Sequence, residues 1–155
     1  MAKQKKPTHD DAAVVMKLYN LRRETELRKA RNFLVVEFWP DAADEVVKLI
    51  QDFGSQRNAW FRQGITYWDM ACSLVLRGVV NQDLFVDWGG ELYFLYAKFK
   101  PFLQEVREKT QAPEFMARIE QVALSTKEGR ERVAKLEKRI AQRRQMLKQA
   151  AAGRG

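Results

Sequence analysis

The sequence predicts an all-α protein: a single helical-bundle domain of five to six helices with a projecting basic C-terminal helix. Three observations lead there. Only eight Gly and four Pro occur in 155 residues. No Asn-Gly or Asp-Gly pair marks a hairpin turn, and apolar residues recur at three- and four-residue spacing throughout. The length fits one core. The predicted division is a flexible basic N-terminus over 1–8, a helical core domain over 9–125, a basic helix over 126–149 and a frayed tail over 150–155.

The first helix is expected from Thr8–Asp10, where Thr8 or Asp10 can cap and Asp10 and Asp11 suit the positive helix start, to about Phe38. Val14, Leu18 and Leu21 share one face; Leu27, Ala30, Leu34 and Phe38 continue it. Between them Arg22–Glu26 and Glu24–Arg28 form i,i+4 pairs in a stretch read as solvated. Pro40 ends this run. Residues 41–53 then read as a short helix with Val46, Val47, Leu49, Ile50 and Phe53 inward, closed by Gly54. Ser55 caps the predicted central helix, 56–77. Its polar residues Asn58, Arg62, Thr66, Asp69, Ser73 and Arg77 make one narrow wet stripe. Gly78 is its left-handed stop.

Asn81 caps a fourth helix to about Lys109. Gly89-Gly90 weakens it in favour of close packing, and Pro101 kinks or splits it at Lys100. Pro113 suits a first helical position, which places a fifth helix over 113–124. The sixth, 127–150, carries only a thin apolar seam of Val133, Leu136, Ile140 and Leu147. The segments Ala30 to Leu34, Ala71 to Gly78 and Asn81 to Trp88 resemble small bacterial all-helical domains of unknown function. That resemblance implies a helical fold and brings no activity or site.

Charge is segregated. Residues 1–31 hold nine basic and four acidic side chains, 32–125 nine and thirteen, and 126–155 ten and three. The body is acidic and the ends are basic, a pattern that speaks to partners rather than to the fold. One Cys, Cys72, leaves no internal disulfide and reads as a buried structural residue. The single His9 can assemble no zinc set. No apolar run approaches the roughly 20 residues of a transmembrane helix. The expected location is cytoplasmic.

No catalytic or metal-ligating residues are assigned, and no cofactor is expected. Two acidic groups, Glu37, Asp41, Asp44, Glu45 and Asp83, Asp87, Glu91, lack the dense paired pattern of magnesium-dependent helical nucleotide hydrolases. That enzyme class stands third. The first reading is a non-enzymatic helical interaction or scaffold protein with a protein partner or a second copy. The alternative is a sequence-nonspecific nucleic-acid-associated accessory protein using Lys3 to Lys6 and the last helix, with an anionic membrane surface as a further partner of the same charge. The candidate residues are Arg130, Arg132, Lys135, Lys138, Arg139, Arg143, Arg144 and Lys148. Tyr19, Trp39 and Phe94 fit the inward stripes least well and would mark a partner surface if exposed together.

Overall fold

The computed structural model describes residues 5–153, so Lys3 and the last two residues lie outside the described residues. The fold is all-α, with no strand among the described residues. The predicted first helix is three elements: α1 (His9–Arg22), α2 (Thr25–Asn32) and a π-helical turn (Phe33–Glu37). Thr8 caps α1 in a reciprocal box with Asp11. The chain breaks after Arg23 because the carboxylate of Glu24 accepts from the N–H groups of Glu26 and Leu27 and starts a new helix.

α3 (Ala43–Gln51) and α4 (Gln56–Leu76) follow. Gly54 and Gly78 take φ of 91° and 71°, the left-handed stops their positions predicted. The predicted fourth helix is again split: α5 (Gln82–Trp88) ends at Gly89, α6 (Gly90–Phe99) ends in a 3₁₀ turn (Lys100–Phe102) around Pro101, and α7 (Leu103–Thr110) follows. α8 (Ala117–Leu124) begins four residues later than Pro113 suggested, because Met116 sits buried at φ 57° and breaks the helical path before it. α9 (Lys127–Ala152) closes the chain, about 39 Å long at 1.5 Å per residue. The helices thus outnumber the five to six expected, through local caps and breaks within the same six spans.

α4 is central, packed by α2, α3 and α8, with Trp68, Ala71 and Cys72 fully buried. Two aromatic groups fill the core. Phe33, Phe38, Phe61 and Phe99 meet at ring separations of 5.5 to 6.2 Å; Trp68, Phe85 and Trp88 meet at 5.3 to 6.4 Å.

Two polar residues depart from the expected pattern. Asn58, placed in the wet stripe, is fully buried. Its amide donates to the Leu49 and Ile50 carbonyls at 2.8 and 3.0 Å, closing the C-terminus of α3. Arg22 turns inward instead of pairing with Glu26, and Arg31 turns inward beside it. Both meet Glu91, which also accepts from the Trp68 indole at 2.9 Å. Phe53, expected inside, is 77% exposed past the end of α3.

Candidate functional site

α9 does not stand clear of the body. Gly129 admits it against α8, since a Cβ there would lie 2.5 Å from the Ala123 carbonyl. Val133 and Ile140 are buried, and Leu136 and Leu147 are half-buried along the same face. The helix lies against α6 and α8, so its thin apolar seam is filled by the protein's own core.

Docking sorts the eight basic candidates. Arg130 is exposed but donates to the Leu124 carbonyl at 2.7 Å, covering the end of α8. Lys148 pairs with Asp41 at 3.1 Å. Arg144 turns inward, donating to the Lys98 carbonyl at 2.7 Å, with its guanidinium 5.0 Å from the Phe102 ring centre. The remaining five, Arg132, Lys135, Lys138, Arg139 and Arg143, are exposed. None of the five has a carboxylate partner among the described residues, whereas Lys127, Lys148 and the Glu137 of α9 are all paired.

Four of these five share one flank. Steps of three, four and four residues carry Arg132, Lys135, Arg139 and Arg143 along the same side of a helix, over about 16 Å of axis. Lys138 lies on the adjacent outward side. The ladder's base is fixed: the Arg132 guanidinium lies 4.8 Å from the Tyr93 ring centre and against Gly90, whose missing Cβ leaves it room. Such an array offers a row of guanidinium and ammonium groups, suited to successive anions.

Residues 7–126 match the family described as Domain of unknown function (DUF4760). The chain belongs to that family. No curated protein and no solved structure matches it. The family match covers α1 through α8 and stops at the residue that caps α9, so the ladder lies outside the matched region.

The three aromatic candidates do not form one exposed patch. Tyr19 is exposed on α1 under Arg23. Trp39 and Phe94 are half-buried and pack edge to face at 6.1 Å. They close over Lys98, which sequence reasoning passes over inside an apolar run. Its side chain is fully buried, with Nζ 4.0 Å from the Trp39 ring centre and 2.6 Å from the Leu34 carbonyl. The π turn supplies that acceptor. Phe38 donates to Phe33 instead of Leu34, which leaves the Leu34 carbonyl for the amine. Burial, then the nearby Arg144, bring the Lys98 amine down to about 7.

The other expected chemistry finds no convergence. Among the described residues, no group of three or more His, Cys, Asp or Glu is placed to hold a metal ion. Asp44 is bonded to Lys109 at 2.6 Å. The Cys72 thiol is buried and pushed well above its usual range by desolvation. A cleft of ≈ 530 Å³ at the starts of α1 and α5 carries Lys5 and Lys6. The carboxylate of Asp11 already accepts there from Thr8 and the Asn81 N–H. No helix among the described residues is long and apolar enough to cross a membrane.

Proposed function

We propose that this protein is a non-enzymatic, sequence-blind nucleic-acid-associated accessory protein that holds a phosphate backbone along the outward flank of α9. The observation that carries this reading is the ladder Arg132, Lys135, Arg139 and Arg143: exposed, in register, and without acidic partners. Proteins usually intersperse surface charge of both signs. A row of one sign on a docked helix releases counterions when it meets a polyanion. Base edges are not addressed, because the ladder offers no reader residues set by a groove-entering motif.

The test is fluorescence anisotropy with a labelled single-stranded oligonucleotide. The full chain should bind at low salt and lose most of its affinity at physiological salt. The triple variant K135Q/R139Q/R143Q alters exposed positions only and should keep the circular dichroism spectrum while binding weakly. Absence of binding at low salt overturns the reading.

A protein partner is favoured by a separate observation. Leu21 and Met70, 51% and 43% exposed, border an apolar cleft of ≈ 400 Å³ between α1–α2 and α4. On this second reading, sedimentation equilibrium shows a concentration-dependent dimer that L21E/M70E abolishes. A strict monomer at high concentration argues against a self-associating form.

A further inference from the structure

We propose that Lys98 and Arg144 form a charge latch, in which a proton taken up by Lys98 releases the last turns of α9 from the body. The packing of α9 alone sets the latch, whatever α9 binds.

Lys98 is a fully buried amine with one hydrogen-bond partner, the Leu34 carbonyl, and the Trp39 and Phe94 rings around it. A protonated ammonium has three donors, so two are left without acceptors there. Among the described residues no carboxylate pairs with it. The charged groups on the surrounding elements are already engaged. From the π turn, Glu37 accepts from Asn32. From α8, Glu120 is held by Arg107 and Tyr96. From α9, Glu137 pairs with Lys100. Asp41 pairs with Lys148.

Arg144 is the group whose field acts on Lys98, and its sign is the same. It is also badly placed to stay when Lys98 is charged. Its Nη2 bonds the backbone carbonyl of Lys98 itself, and its Nε is buried with no partner. Like charges in surroundings poor in water repel more strongly than on an open surface.

The strain has one easy outlet. Lys98 is fixed in α6, deep in the core. Beyond Ile140, among the described residues, Arg144 and Leu147 are the half-buried side chains of α9, the others are exposed, and Lys148 pairs with Asp41 at the surface. Swinging these turns outward hydrates Arg144 and relieves the repulsion. A free helical end so short frays in water, so release appears as lost backbone protection. The released segment also gives up Arg144 and Lys148 to solvent beside the ladder.

Hydrogen exchange on the full chain, corrected for intrinsic rates, tests this together with the ¹³Cε shift of Lys98. Protection of the amides from Ala141 to Lys148 should fall by about tenfold between about pH 8.5 and about pH 5.5. Its midpoint should coincide with the Lys98 titration. Arg144→Gln removes the repelling charge; its shorter amide does not reach the Lys98 carbonyl, so protection is lower at every pH, but in it the fall with pH should vanish. Protection independent of pH, a midpoint apart from that of Lys98, or the same fall in Arg144→Gln each overturns the latch. None of these readings depends on nucleic-acid binding.

Discussion

Lys98 shows how one side chain can be invisible in a pattern and central in a structure. Between Leu92 and Phe99 the sequence is apolar apart from Lys98, and a lysine there ordinarily reaches out past its neighbours to water. It is held in instead because the π turn frees a carbonyl, a local irregularity that helical spacing does not encode. The consequence is a pH-dependent stability with a definite sign. The unfolded amine holds its proton up to its ordinary value of 10.5, while the folded one releases it at about 7. Between these values the unfolded state binds more protons, so stability should rise with pH from 7 toward 10.5 and be lost again on the way down. Urea midpoints across this window should climb for the wild type and stay nearer level for Lys98→Met. Parallel slopes would remove Lys98 as the cause. Asn58 escapes its pattern for a related reason: its spacing matches a wet stripe, but the C-terminus of α3 folds over it and needs its donors.

Among the elements, the ones set by local chemistry are legible in the sequence. Thr8, Ser55 and Asn81 cap as their positions indicate, Gly54 and Gly78 stop their helices, and Pro101 splits α6 from α7. The elements set by distant partners are not. Arg22 leaves Glu26 for Glu91, which Arg31 also meets from sixty residues away; the Glu24 cap that breaks the first helix is local, but Glu24 reads equally as an i,i+4 partner of Arg28. α9 is the least legible element, because a thin seam fits docking on its own domain and docking on a partner helix alike. What anchors it is backbone proximity at Gly129. Gly129→Ala should therefore cost about 1–3 kcal/mol by overpacking against the Ala123 carbonyl, measured by chemical denaturation. An unchanged midpoint would mean that α8 and α9 separate freely.

At the scale of the whole molecule, the charge segregation read from sequence acquires a location. The body and α9 are joined by ion pairs in both senses: Lys148–Asp41 consumes a cation of the basic end, whereas Lys100–Glu137 consumes one of its few anions. On α9 the flank from Arg132 to Arg143 carries no ion pair among the described residues. The proposed function turns on that flank meeting a phosphate backbone. Its most direct test is the slope of log affinity against log salt for single-stranded oligonucleotide, wild type against K135Q/R139Q/R143Q. Each phosphate contact contributes about 0.7 to the slope, so losing three cations should lower it by about 2. Equal slopes for the two proteins, or no binding by the wild type at low salt, would contradict that function.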